Sequence, residues 1–232
     1  MTAPDPAHRL TSLIRRLKVA SPAATPPTAE APAIECVFVL AFLQWEATPA
    51  QAAAAYARIR AAIVDLNELR VFLPHEVVAI IGERYPLARE RAIRLHSALN
   101  EVFRNEHMTS LARLGTLPKR EAAGYLAAID GMTPYVVARV MMHLGAHAFP
   151  LDGRMLECLK DEGAIPDDAT LADAAGWVER HVPAGELAEA FTLLDAHASD
   201  PGRKRAKPEP RPAKRSEKPA KKSARSRKGA AE

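Results

Sequence analysis

Between residues 118 and 156 the chain reads PKREAAGYLAAIDGMTPYVVARVMMHLGAHAFPLDGRML, and two places in it could do chemistry. The first is Asp152, which follows a Phe149-Pro150-Leu151 turn and precedes Gly153-Arg154-Met155-Leu156. An aspartate there is a good N-cap, its oxygens taking the free amides of a helix start. The same carboxylate is also a catalytic-type group, and the two readings are compatible. The second is Ile129-Asp130-Gly131-Met132-Thr133, a glycine-bearing hairpin whose following helix opens at Pro134. The backbone amides of such a hairpin, aided by the dipole of the helix behind them, favour an anion. Asp130 sets a carboxylate against that anion, and the β-branch of Thr133 resists the positive φ that such a nest calls for. Tyr135 reads as a partly buried helix residue. His143 and His147 lie four apart, but Gly145 ends the helix between them and no third ligand is evident, so a metal is not expected. Cys36 and Cys158 read as core thiols, and Met141, Met142 and Met155 as packing.

Charge is distributed unevenly along the chain. From Arg203 to Glu232 there are 13 Lys+Arg against 3 Asp+Glu, a net of +10, whereas residues 1–202 hold 19 against 25, a net of −6. A polycation of this kind, with Lys204, Arg205, Lys214, Arg215, Lys221 and Lys222 spaced by Ala, Pro and Ser, gains affinity for nucleic acid by releasing condensed counterions. That chemistry suits RNA as well as DNA. From Asp200 onward every large apolar side chain is missing, so the tail, 200–232, is expected to be disordered.

The elements that must position Asp152 and the hairpin are helical. Aromatics make up only 5% of the chain, and Ala, Leu, Arg and Glu dominate. Leu10, Leu13, Ile14 and Leu17 fall at helical spacing over 8–19, after which Pro22, Pro26, Pro27 and Pro32 make residues 20–32 a Pro-rich arm. The run Ile34–Leu43 is apolar on almost every side, and its helical surroundings favour a buried helix over a buried strand. Thr48, Pro49 and Gln51 carry the signature of a capping box before AAAAYARIRAAIV. Further helices are expected after Leu73-Pro74, over Pro86–Asn105, and at 118–128, 134–144, 153–161, 170–181 and 184–197. On the long one, Ala88, Ala92, Ile93, Leu95, Leu99 and Val102 form the apolar face, leaving Arg84, Arg89, Arg91 and Arg94 on a solvated face that could border a nucleic acid. The result is an all-α domain over 1–199. No run of 18 apolar residues suggests a membrane span.

The hairpin at 129–133, the helix after it and the Leu151-Asp152 turn about twenty residues on resemble the helix-hairpin-helix segment of the endonuclease III family of DNA glycosylases. There the hairpin reads Leu-Pro-Gly-Val-Gly and the turn reads Val-Asp or Leu-Asp. The resemblance spans roughly residues 8–198, in order and spacing of elements, and the tail is similar to those of linker histones. It implies a helix-hairpin-helix glycosylase fold in which Gly131, Met132 and Thr133 face a DNA phosphate. Asp152 would lie beside the pocket for a base flipped from the duplex, stabilising the sugar cation or positioning a nucleophile. With Thr48 aligned to the family's Thr, Glu46 replaces the Gln that fills the gap left by the flipped base; Gln44 takes that place only if the frame slips.

The departures matter as much. Strand-cleaving members carry a Lys two residues past the hairpin's second Gly, whose amine forms a Schiff base; here Tyr135 stands there, and a phenol forms no imine. The family's iron–sulfur cluster needs four cysteines in a C-terminal run, and the chain has two in all, none after Cys158. The resemblance thus points to an intracellular, monomeric base-excision-repair protein without cofactor, nucleoid-associated in the cytoplasm if the source is a bacterium. It would bind double-stranded DNA and act at most as a monofunctional N-glycosylase. The rival reading is a catalytically inactive, chromatin-associated DNA-binding protein on the same scaffold. Asp130, Thr133, Tyr135 and the acidic body favour the rival; Asp152 and the order of elements favour the enzyme.

Overall fold

The capping box at Thr48 forms in full: Gln51 N–H donates to Thr48 Oγ1 at 3.2 Å, and Thr48 N–H donates back to Gln51 Oε1 at 2.9 Å. In the computed structural model, which describes residues 5–20 and 32–203, Asp65, Thr133, Asp152 and Thr170 likewise cap helix starts with their side chains. Most of the Pro-rich arm, and the tail residues Lys204, Arg205, Lys214, Arg215, Lys221 and Lys222, lie outside the described residues. In chain order the helices are α1 (Pro6–Ala20), α2 (Ile34–Gln44), α3 (Pro49–Ala62), α4 (Leu66–Val71), α5 (Pro74–Ile81), α6 (Ala88–Glu106), α7 (Lys119–Ala128), α8 (Pro134–His143), α9 (Gly153–Asp161), α10 (Leu171–His181) and α11 (Leu187–Ala198). One-turn 3₁₀ helices at Ala112–Gly115 and Ala184–Glu186 complete them, and there is no strand among the described residues. Nor is any described helix long and apolar enough to cross a membrane.

The all-round apolarity of α2 has a packing cause. It touches α3, α6 and α8, so Val37, Phe38, Val39, Ala41, Phe42 and Leu43 are all buried, with Phe38 and Phe42 meeting edge to face. The first and last helices meet, α1 against α10 and α11, and α9 packs on the same pair.

Helix α6 corrects the expectation about its arginines. Its buried stripe is Ala88, Arg91, Ala92, Leu95, Ala98, Leu99 and Val102, while Ile93 is 48% exposed. Arg91, expected on the solvated face, is wholly buried. It lies three residues after Ala88 and four before Leu95, at a core position. Its guanidinium donates to the carbonyls of Phe42 and Trp45 at the end of α2 and to Pro86 O at 3.0 Å. Burial lowers its pKa to about 10. Tyr85 adds a 2.7 Å bond from its hydroxyl to Leu43 O. The carbonyls that α2 leaves open at its C-terminus are thus satisfied by side chains from α6 and the turn before it.

Candidate active site

The hairpin forms where expected, but with a different division of labour. Gly131 alone in it has a positive φ, +83°. Its Cα lies so close to α6 that a Cβ would stand 2.4 Å from the Arg94 carbonyl oxygen, so only glycine fits. Thr133 has φ −113° and accepts from Val136 N–H at 3.2 Å; it is the N-cap of α8. The conflict expected from its β-branch does not arise, because the left-handed residue is Gly131. Asp130 fills the anion position from within: its Oδ1 accepts from Gly131 N–H at 2.9 Å and its Oδ2 from the Ser97 hydroxyl. The Ser97 bond first, then the Gly131 amide, hold its carboxyl below the usual range. Arg89, Arg94, Glu90 and Ile93 line an open groove beside it.

Asp152 caps α9, as its position implies, and is 1% exposed. Oδ1 accepts from Met155 N–H at 3.0 Å. Oδ2 accepts three more bonds, from Glu46 N–H at 3.0 Å and from Arg154 Nε and Nη2 at 3.0 and 2.8 Å. Arg154 continues to Asp195 Oδ1 at 2.8 Å and to Ser199 Oγ at 2.8 Å. Burial pushes the Asp195 carboxyl up, against the pull of Arg154. Glu46, in the left-handed region at φ +55°, turns its carboxylate onto the same helix start and accepts from Gly153 N–H at 2.6 Å. A Cβ at residue 153 would lie 2.9 Å from that Glu46 oxygen, so a larger residue there would push the carboxylate off the helix start. Two carboxylates therefore share one positive helix end.

A cavity of about 470 Å³ opens between Trp45, the start of α8, and α9–α10. Met132, Phe149, Leu151 and Ala175 make its walls apolar, and Asp152, Thr133 and Tyr135 also line it. Arg94 stands at its edge, with its guanidinium 5.5 Å from the Trp45 ring and 2.9 Å from Glu90. Tyr135 is buried, and its hydroxyl has no hydrogen-bond partner among the described residues. Burial first, then the Asp195 and Asp152 charges, hold its pKa well above the usual phenol value, so it stays a neutral hydroxyl. Glu179 of α10 accepts from Phe149 N–H at 2.7 Å. The fold thus joins Asp152, Glu46, Met132 and Thr133 around one region, while Gly131 faces α6 and the Asp130 groove.

Three residues here had no part in the reading of the sequence: Arg154, Asp195 and Glu179. Arg154 is two residues past the cap, a place where a cation pairing with Asp152 could have been suspected. Asp195 sits at a core position beside Phe191 and Leu194. Glu179 carries no local signal. The residues do not suit a four-cysteine cluster: Cys36 lies in α2 and Cys158 in α9.

No protein-family model matches the chain, and no curated protein does either. Solved structures do. The chain is similar to endonuclease III in a non-covalent complex with DNA (TM-score 0.63, 13% identity, 84% of this chain and 85% of that one). It is similar also to endonuclease III in a trapped covalent DNA intermediate with an estranged adenine (TM-score 0.62, 13% identity, the same coverage). A thermostable thymine-DNA glycosylase aligns at a TM-score of 0.59 and 18% identity over 84% of this chain and 86% of that one. The fold is that of the helix-hairpin-helix DNA glycosylases.

Proposed function

We propose that the chain is a repair protein that binds double-stranded DNA, receives a base turned out of the helix in the cavity above Asp152, and releases it by hydrolysis without strand cleavage. The observation that carries this is the cavity itself: apolar walls, a size suited to a nucleoside, and Asp152 in its lining beside the hairpin. Asp152 stabilises the positive charge that develops on the sugar as the glycosidic bond breaks. To face the sugar it must release Arg154. That is feasible because Asp195 and Ser199 keep the guanidinium bonded. The bond to Arg154 also favours a second reading, in which the protein binds a turned-out base and leaves it intact. Incubating the full chain with duplexes carrying oxidised, alkylated and mismatched bases decides between them. Base release supports the first reading, and its absence from every duplex leaves the second.

Tyr135 offers no amine at the position where a Schiff base would form. Borohydride is therefore expected to trap no complex with abasic DNA. A trapped complex that is lost on changing one lysine would place a nucleophile elsewhere.

Asp130 weakens the hairpin's hold on phosphate, since a carboxylate already occupies the Gly131 amide. Asp130→Asn keeps the turn and removes the charge. Affinity for undamaged duplex is expected to rise on the order of threefold to tenfold at low salt, with the gain shrinking as salt is added. Unchanged affinity in a fluorescence titration would mean that the hairpin does not meet phosphate.

The tail serves as a tether. The described body ends at Arg203, which pairs with Asp161 at 3.2 Å, so truncation after Arg203 spares that contact. Removing 204–232 is expected to leave thermal stability unchanged and to lower duplex affinity on the order of tenfold or more, with a shallower salt dependence. Equal affinities and equal salt slopes for the two chains would assign binding to the folded body.

A further inference from the structure

We infer that the base this cavity takes is a cationic one, an N-alkylated purine, held by Glu179. The inference rests on the reading of the cavity as a base pocket and adds what that pocket selects. Among the charged residues on its lining, Arg94 is paired with Glu90, and Asp152 with Arg154. Glu179 is different. One of its oxygens accepts from Phe149 N–H, which fixes the carboxylate in place, and the other has no partner among the described residues. A fixed carboxylate oxygen at an apolar cavity is stabilised most by a positive charge or by a strong N–H donor. The aromatic faces of Trp45 and Phe149 attract electron-poor rings for the same electrostatic reason. Tyr135 lines the cavity too, but its hydroxyl is buried away from it, which leaves Glu179 as the polar group with a free oxygen to offer a base. An N-alkylated purine nucleotide offers a ring cation and exocyclic N–H donors together.

The chemistry at Asp152 agrees with this choice. A neutral base leaves as an anion unless an acid protonates it, and it requires strong stabilisation of the sugar cation. A purine alkylated at N7 or N3 is already positive, so its glycosidic bond is weak. When it breaks, the C1′–N9 electron pair returns to the ring and cancels that charge. Water oxygen bonds to C1′, the proton it loses passes to solvent, and the base departs neutral. No general acid is needed, and Tyr135, with its hydroxyl buried beside the cavity, is a poor one. An aspartate that must first release Arg154 is sufficient for so labile a bond.

The test uses the full chain and three duplexes of one sequence: undamaged, carrying N7-methylguanine on a 2′-fluoro sugar that slows bond breakage, and carrying thymine glycol, a neutral oxidised pyrimidine. Binding is read by fluorescence anisotropy at one salt concentration. The unmodified protein is expected to favour the methylated duplex over both others by about tenfold or more. Glu179→Gln keeps an oxygen for Phe149 N–H and loses the charge. It should erase that preference while undamaged duplex binds as before. Ala175→Leu fills the cavity from α10 while leaving the Glu179 charge in place, and should erase it as well. A preference for the methylated base that survives in Glu179→Gln, or equal or better binding of thymine glycol, overturns the inference and leaves the base pocket standing. If neither lesion is preferred and no base is released from any duplex, the base-pocket reading falls with it.

Discussion

Replacing Arg91 by methionine is expected to lower the stability of the fold by about 3–5 kcal/mol, the range for losing a buried hydrogen-bonded charge and stranding its partners. Methionine has a similar reach and is apolar, so the effect isolates the hydrogen bonds from the volume. Without the guanidinium, the carbonyls of Phe42, Trp45 and Pro86 are left in the interior with no replacement donor. Two of them belong to the end of α2, the most buried helix. The damage should therefore pass to Trp45 and Glu46, which follow directly and line or lock the site. Equilibrium denaturation in urea measures the loss, and a change of under about 1 kcal/mol would show that water replaces Arg91 at these carbonyls. Arg91→Lys should recover only part of the loss, since one ammonium cannot span three carbonyls set around a planar fork.

Asp152→Asn is the second large effect, and it has two parts. The side chain keeps an oxygen for one of the amides of Met155 and Glu46 but cannot pair with Arg154, so stability is expected to fall by about 2–4 kcal/mol. Base release is expected to fall by about a hundredfold or more, because a neutral amide does not stabilise a sugar cation. Single-turnover rates at a temperature where both proteins are folded separate the two parts. A variant that loses stability and releases base at the original rate would reduce Asp152 to a helix cap. The pairing with Asp195 gives a control. Asp195→Asn leaves the Asp152 carboxylate intact but removes the charge that takes Arg154 from it, so it should cost stability and lower the rate less than Asp152→Asn does.

Much of this was legible in the sequence where the signals were local. Thr48, Pro49 and Gln51 announced α3, Pro134 announced α8, and Asp152 announced α9, because cap chemistry is completed within four residues. The short helix α4 has a local signal too, Asp65 accepting from Glu68 N–H, but six residues are too few for an apolar period to show. Arg91 was misplaced because residue type was weighed above position: the spacing of α6 puts it in the core, whereas its charge suggests the surface. Glu179 and Asp195 were out of reach for another reason. Their partners, Phe149 and Arg154, are 30 and 41 residues away in the chain, and only the packing of α10 and α11 against the turn at 149–154 brings them together.

The crossed bonds at the start of α9 have a dynamic consequence. Glu46 gives its amide hydrogen to Asp152, and its carboxylate takes the amide hydrogen of Gly153, so a turn and a helix start 106 and 107 residues apart are buttoned to each other twice. Neither bond opens freely while the other is closed. The two amides should thus become available to deuterium in a single opening event, with similar protection at Glu46 and Gly153 although one lies in a turn and the other in the first turn of a helix. Any ligand that draws Glu46 away from α9 would unfasten both at once, and the loss of protection would appear at the two ends of the same buckle.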